Sequence, residues 1–289
     1  MEQTIRKAVI PAAGLGIRFL PATKSQPKEM LPIVDKPIIH FVMDELVKSG
    51  IDDIIIITGR GKRAIEDYFD FSPELEGYLK NSDKLNLLKS VEEILNKVSI
   101  HYIRQREPKG LGDAILCVEK HIGNEPFLVA LGDDIIVSQE PAAKQLITIF
   151  DKEKSSVIGV EEVQMESTPF YGIIDGSKIS DNLFKVKDLV EKPQAHEAPS
   201  NIGIIGRYIL TPEIFDSLKQ TNPGYGKEIQ LTDALKILLK QQSIYAYKVE
   251  GKRYDVGNKS GYLKAIIEFA LQREDLRDIV QKCLKELLS

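Results

Sequence analysis

Lys7-Ala8-Val9-Ile10 is a short β-rich run that ends in Pro11-Ala12-Ala13-Gly14, and Ile54-Ile55-Ile56-Ile57-Thr58 is a longer, fully apolar and β-branched one. A run without polar alternation marks a strand covered on both faces. Between the two, Pro37 to Ser49 predicts a helix. Proline suits its first turn, Ile38, Phe41, Val42 and Val47 share one face, and Gly50 caps the end. Ser99 to Gln105 and Phe127 to Leu131 read as two more strands, with a helix between them from about Gly112 to His121. This β-α-β-α-β rhythm predicts an α/β fold, Rossmann-like, with a mixed but mainly parallel central sheet flanked by helices. Ligands of such sheets gather beyond the carboxyl ends of the strands. The loops after Ile10, Gln105 and Leu131 all occupy that position.

The second half is less regular. Tyr171-Gly172-Ile173-Ile174-Asp175-Gly176 has turn chemistry, Phe184 to Val190 and Ile202 to Leu210 read as strands, and Ile229 to Lys240 as an amphipathic helix. Ser260 to Leu288 reads as helix almost throughout, with an apolar stripe that includes Ile266, Phe269, Leu276, Ile279, Cys283 and Leu287. No Gly/Ser/Pro-rich linker interrupts the chain, so residues 1–289 are expected to form one domain.

A charged share of 28%, a hydrophobic share of 43% and a net charge of −4 describe an ordinary globular protein without a nucleic-acid or anionic-membrane surface. Met1 to Lys7 lacks the apolar core of a secretory signal, and no apolar run approaches the roughly 18 residues of a membrane span. A cytoplasmic location follows as an expectation. Cys117 and Cys283 have no metal-ligand spacing and are expected to stay reduced. His40, His101, His121 and His196 belong to no nucleophile or metal pattern, and no nucleophile elbow is present.

Ala12-Ala13-Gly14-Leu15-Gly16-Ile17-Arg18, continuing to Pro27-Lys28-Glu29-Met30-Leu31-Pro32, carries the densest chemistry. Gly14 and Gly16 permit a turn whose backbone N–H groups can face phosphate oxygens. Arg18, Lys24 and Lys28 bring cations to one loop, and Pro21, Pro27 and Pro32 stiffen it. Phe19 occupies the third glycine position of the dinucleotide fingerprint, which therefore fails. Gly59-Arg60-Gly61-Lys62 lacks the upstream glycine and following Ser/Thr of a Walker loop and reads as a strand-to-helix turn. Asp133, in Leu131-Gly132-Asp133-Asp134, offers hard oxygen at a strand end, which suits Mg²⁺. Gln105 can both donate to and accept from a base edge. Glu191-Lys192-Pro193 pairs a carboxylate for sugar hydroxyls with an ammonium for phosphate.

Taken together and in order, these motifs resemble the sugar-phosphate nucleotidyltransferases, whose signature is G-x-G-x-R followed by P-K-x-x-L-P. More narrowly, Pro21-Ala22-Thr23-Lys24 and Pro27 to Pro32 are similar to the bacterial UTP–glucose-1-phosphate uridylyltransferases. The likeness continues through Gln105 to Ala114, Gly206-Arg207-Tyr208, Glu228 to Ala234 and Tyr254-Asp255-Val256-Gly257.

The resemblance implies a glycosyltransferase-A-like fold. Residues 1–150 would be the nucleotide-binding half, 151–259 a β-rich sugar-phosphate half, and 260–289 a C-terminal helix available for homodimer or homotetramer contact. It implies nucleotide contacts from Ala12, Ala13, Gly14, Gly16, Gln105, Gly110 and Asp133. Catalytic charge would come from Arg18, Lys28 and Lys192, and sugar contacts from Gly172, Glu191, Lys192 and Asn201. Mg²⁺ would be held by Asp133 and Asp255. The implied reaction joins UTP and glucose-1-phosphate by in-line attack on the α-phosphorus, and an anionic attacking phosphate needs no general base.

A thymidylyltransferase would share this machinery, but the Lys-Glu-Met-Leu-Pro and Glu-Ile-Gln-Leu-Thr-Asp-Ala wording favours UTP. A binding-only regulator would have lost Lys28 or Asp133, and both are present. Two positions depart from the family: Ile17 where threonine is usual, and Asp113 where histidine is usual.

Overall fold

A computed structural model of the chain describes residues 5–288. The first four residues of the polar stretch Met1 to Lys7, and Ser289 beyond the terminal helix, lie outside the described residues. β1 (Lys7–Pro11) is followed by a small hairpin, β2 (Pro32–Ile33) and β3 (Lys36–Pro37), then by α1 (Ile38–Lys48) and β4 (Asp53–Thr58). Helices α2 (Arg63–Phe69), α3 (Pro73–Asn81) and α4 (Lys89–Leu95) lead to β5 (Ser99–Arg104). Next come α5 (Leu111–Leu116), α6 (Glu119–Ile122), β6 (Phe127–Ala130), β7 (Asp134–Val137), α7 (Ala142–Glu153) and β8 (Val157–Glu162). The second half holds β9 (Gly172–Lys178), β10 (Leu183–Glu191), β11 (Ile202–Leu210), α8 (Ile214–Gln220), α9 (Leu231–Leu238), β12 (Tyr245–Lys248) and β13 (Lys252–Asp255). Two helices follow, α10 (Lys259–Gln272) and α11 (Arg277–Leu288).

One sheet of nine strands, ordered β5-β4-β1-β6-β11-β8-β12-β10-β9, forms the middle layer. Its β5-β4-β1-β6 end is parallel throughout. Beyond it the sheet is mixed. β11 runs antiparallel to both β6 and β8, β8 and β12 are parallel, and β10 is antiparallel to β12 and β9. Mainly parallel pairing thus describes the first end only, because β10 and β11 run against the strands beside them.

Period-two alternation divides the apolar runs between two cores. Val9, Ile55 and Ile57 face the core covered by α5, α8 and α9, whereas Ala8, Ile10, Ile54 and Ile56 face the one covered by α1, α2 and α7. That division is why these strands carry no polar face. α1 ends as its sequence predicts: Gly50 has φ 86°, and the Ile51 N–H reaches back to the Leu46 carbonyl at 3.1 Å.

Three expectations are corrected in detail. The helix expected over Gly112 to His121 is two short helices. At Cys117 and Val118 the backbone bonds tighten to the i+3 pattern, with Val118 N–H on Ile115 O at 3.1 Å. Of Tyr171 to Gly176, Gly172 to Gly176 is not a turn but the start of β9, and Tyr171 immediately precedes it. Gly172 serves close approach, since a Cβ there would lie 2.9 Å from Thr232 Oγ1. The C-terminal helical stretch breaks at Arg273, whose backbone is extended and whose guanidinium pairs with Asp275 and Asp35. Of its apolar side chains, Ile266 and Phe269 pack on the core, while Ile279 and Leu287 on α11 are exposed. Both cysteines are free. No described helix is long and apolar enough to cross a membrane.

His40 on α1 is buried, with Nδ1 3.0 Å from the Tyr68 hydroxyl. Burial, followed by the positive charge of Lys36, pulls its pKa down to about 4. The unfolded chain therefore binds a proton more readily than the folded chain between about pH 6.5 and 4. Stability conferred by neutral His40 is complete above that window and is lost as pH falls through it, by up to about 3 kcal/mol. His40→Gln should flatten this acid limb in a series of Tm measurements. An unchanged slope would assign the acid sensitivity to other groups.

Candidate active site

The loop after β1 runs through three single 3-10 turns, at Ile17–Phe19, Ala22–Lys24 and Lys28–Met30. It folds back on itself through Thr23 Oγ1, which donates to the Gly16 carbonyl at 2.7 Å. This return brings Lys28 to the end of β6, where its Nζ lies 2.6 Å from Asp133 Oδ2. The neighbouring Glu29 is fully buried and paired at 2.9 Å with Lys62 Nζ, itself buried at the start of α2. Lys62 is therefore an anchor for the loop, consistent with a strand-to-helix turn in Gly59 to Lys62. Lys24 is exposed.

Two cavities, of about 400 and 260 Å³, open beyond the carboxyl ends of β1 and β6. Leu111, Leu131, Asp133 and Glu228 line both, so the two meet at Asp133. The larger is walled by Ala13, Gly14, Gly16, Lys28, Gln105 and Gly110 among others. The smaller is walled by Arg18, Gly172, Glu191, Lys192 and Asp255 among others. Twelve of the fourteen residues singled out from the sequence thus line one cavity or the other. Ala12 does not. It is 1% exposed, and its N–H is held by the Ile57 carbonyl at 2.8 Å, so it supports the loop from beneath. Asn201 is also outside the walls; its carbonyl accepts from the Val163 N–H at 2.9 Å at the entry to β11. Arg18 lies on the smaller cavity with Lys192, not on the larger one with Lys28.

Gly110 closes the larger cavity at φ +107°, where a Cβ would stand 2.7 Å from the Ile229 carbonyl oxygen. Only glycine fits there. On the smaller cavity Glu191 is fixed from both sides. Thr232 Oγ1 donates to its Oε2 at 2.6 Å, and Lys192 Nζ lies 3.2 Å from its Oε1. Lys192 also sits 4.9 Å above the Tyr225 ring and has φ 47°, an uncommon left-handed backbone for lysine.

The two adjacent aspartates have separate roles. Asp134 is buried, held by the Arg253 guanidinium at 2.6 Å and reaches the wall of the smaller cavity only, whereas Asp133 lines both cavities. Asp255 enters from β13, which pairs with β7 so that Asp255 stands opposite Asp134. Asp133 Oδ2 and Asp255 Oδ1 both crowd Gly257, lying 2.5 and 3.2 Å from where its Cβ would be. Burial pushes the Asp255 carboxyl up, and repulsion from Asp134 and Asp133 adds to it. Burial also disfavours the charged Asp133, but the Lys28 ammonium outweighs it and holds the carboxyl below its ordinary range. For Lys28 the balance is similar. Burial opposes its charge, and Asp133 followed by Glu29 overcomes that and raises the ammonium pKa.

Two neighbouring carboxylates are a donor set for a hard divalent ion that keeps most of its waters, and here each also has a cation nearby, Lys28 at 2.6 Å from Asp133 and Arg253 at 3.8 Å from Asp255. Asp133 and Asp255 fit Mg²⁺ in this sense. Among the described residues no group of three or more His, Cys, Asp or Glu side chains is arranged to hold an ion.

Several site-building residues carried no role in the sequence reading. Arg253 bonds Asp134 and Glu161 and lies against Tyr171. Arg207 is 0% exposed and fixes Glu45 together with the Asp134 and Gly206 carbonyls. A lone charge inside the apolar run Ile202 to Leu210 was the available signal, because a buried guanidinium requires partners. Thr232 had no such signal, since it depends on the approach of α9 to β10.

Known proteins are similar to this chain in sequence and in fold. The family model described as nucleotidyl transferase matches residues 7–272. A UTP–glucose-1-phosphate uridylyltransferase of Bacillus subtilis (strain 168) is 53% identical over 285 residues, covering 99% of this chain and 98% of that one. A crystal structure of a UDP-glucose pyrophosphorylase complexed with UDP-glucose superposes with a TM-score of 0.87 at 46% identity, covering 93% of this chain and 100% of that one. A UTP-bound enzyme of the same type from Acinetobacter baumannii gives 0.90 at 38% identity over 98% of this chain and 99% of that one. With the match spanning nearly the whole described sheet and both cavities, this chain belongs to the nucleotidyl transferase family.

Proposed function

We propose that the protein transfers the uridylyl group of UTP to glucose-1-phosphate, giving UDP-glucose and pyrophosphate. The observation that carries this reading is the junction of the two cavities at Asp133, with Lys28 on one side and Arg18 and Lys192 on the other. A nucleoside triphosphate in the larger cavity and a sugar phosphate in the smaller would meet there. The relatives that bind or act on UTP, UDP-glucose and glucose-1-phosphate support the choice of substrates.

A phosphate oxygen of the sugar phosphate forms the new bond to the α-phosphorus of UTP. The bond from that phosphorus to the bridging oxygen breaks, and the electron pair leaves with pyrophosphate. The nucleophile is already an anion, so the chain has no proton to remove. Its contribution is alignment and charge. Lys28 supplies positive charge on the triphosphate side. Lys192, steered by Glu191 and Tyr225, holds the incoming phosphate, with Arg18 beside it. Glu191, Gly172 and Thr232 shape the sugar end. Gln105 and Gly110 meet the base, and Ala13, Gly14 and Gly16 cradle the nucleotide. Asp133 and Asp255 would hold Mg²⁺, which when bound neutralises charge between the reacting phosphates. The exposed apolar side chains of α11 support assembly as a homodimer or homotetramer.

Pyrophosphate release should be measured with UTP, dTTP, CTP, ATP and GTP against glucose-1-phosphate, with and without Mg²⁺. The expected result is metal-dependent release with UTP foremost. Preference for dTTP would move the assignment to thymidylyl transfer, and no release with any triphosphate would end the catalytic reading.

A further inference from the structure

Gln105 follows directly on β5 and is 5% exposed, its backbone N–H held by the Thr58 carbonyl at 2.9 Å. Its side-chain amide has two inward partners. Nε2 donates to Asp113 Oδ2 at 2.6 Å and, less closely, to the Gly110 carbonyl at 3.3 Å. A carboxylate and a backbone carbonyl both only accept, so the nitrogen end of the amide is the end that must face them. The oxygen end is what remains. Oε1 has no partner among the described residues and is not among the buried polar atoms sealed without one. Since Gln105 forms part of the wall of the larger cavity, that cavity receives from it an acceptor and no donor.

A fixed acceptor distinguishes pyrimidines by one atom. Uracil and thymine carry an imide N–H at ring position 3, whereas cytosine carries a bare nitrogen there, itself an acceptor. An acceptor facing an acceptor leaves both unpaired in a confined site, which is costly. Without Asp113 the amide would retain only the longer Gly110 contact to oppose a flip presenting Nε2 instead.

We propose that Asp113 is a positioning residue for base choice: it locks the Gln105 amide with Oε1 toward the cavity, so that imide-bearing pyrimidines are admitted and cytosine is rejected. This rests on the larger cavity being the nucleotide site of the proposed transfer. At this position the chain carries aspartate where the family it resembles usually has histidine.

The test compares CTP with UTP in pyrophosphate release for the full-length wild type, Asp113→Asn and Asp113→Glu. Asparagine can donate as well as accept and so releases the lock, whereas glutamate keeps the acceptor-only chemistry. The CTP-to-UTP ratio of kcat/KM should rise about tenfold in Asp113→Asn, mainly through KM, and stay within about threefold of wild type in Asp113→Glu. A ratio unmoved by Asp113→Asn, or moved as far by Asp113→Glu, would overturn the proposal. Asp113→Ser, whose hydroxyl can also donate, carries the same expectation should the asparagine variant not fold. A second readout needs no turnover: the rise in Tm of the wild type with UTP or CTP and no sugar phosphate. Stabilisation by UTP over CTP without pyrophosphate release would sink the transfer reading while supporting base selection. Equal stabilisation by the two nucleotides would overturn base selection alone.

Discussion

Lys28→Ala is expected to lower kcat by about three orders of magnitude at saturating UTP and glucose-1-phosphate, and Asp133→Asn by at least as much. The scale comes from removing one preorganised charge from a confined site, which typically costs about 10²–10³ in rate. Lys28 and Asp133 are 2.6 Å apart and both largely withdrawn from solvent. Deleting either therefore leaves the other charge without its nearest partner as well as removing its own contribution to the phosphates. A double-mutant cycle separates these effects. If the pair served only each other, Lys28→Ala combined with Asp133→Asn would recover much of the rate lost in either single variant. If both act on substrate, the double variant should be no better than the worse single. Turnover within a few-fold of wild type in either single variant would remove that residue from the catalytic machinery.

Much of this site was legible because its residues are crowded into a few segments with local rules. Lys28 and Gly16 lie on one loop stiffened by prolines, and Asp133 ends an apolar strand, so chain order alone puts them at the same edge of a parallel sheet. Ile202 to Leu210 was legible to the residue because burial on both faces leaves no ambiguity of pattern. The misreadings share a cause. Gly172 suggested a turn when it serves an approach by Thr232 and Glu191, residues 60 and 19 positions away along the chain. Nothing local in Tyr171 to Gly176 encodes that approach. Asn201 and Ala12 entered through resemblance alone, and neither is among the residues that line the two cavities. The pairing of Lys62 with Glu29, and of Arg253 with Asp134, joins segments that only the completed sheet brings together.

The buried charges behind Asp133 lead to the second large effect. Glu45→Gln is expected to cost about 3–5 kcal/mol of stability, seen as a lowered denaturation midpoint, because Arg207 would keep its charge with no solvent to receive it. The guanidinium is 0% exposed and donates to Glu45 at 2.9 and 2.8 Å. Its other donors reach the Gly206 and Asp134 carbonyls at 2.9 Å each and the Leu131 carbonyl at 3.4 Å. Those last two carbonyls flank Asp133 in sequence, so the ion pair also determines where the strand end carrying Asp133 lies. An apolar replacement of the whole pair, Glu45→Leu with Arg207→Met, should recover part of the lost stability, since it avoids the desolvation of two charges but leaves the Ala143 N–H without the Glu45 acceptor it now has at 3.0 Å. It cannot supply the donors that hold the carbonyls of Leu131 and Asp134. Stability and turnover should therefore separate, with the double variant melting above Glu45→Gln but turning over at least tenfold more slowly than wild type. Full turnover in the stable double variant would reduce Arg207 and Glu45 to a device for stability. A slow but stable variant would identify them as what aims Asp133 at the junction of the two cavities.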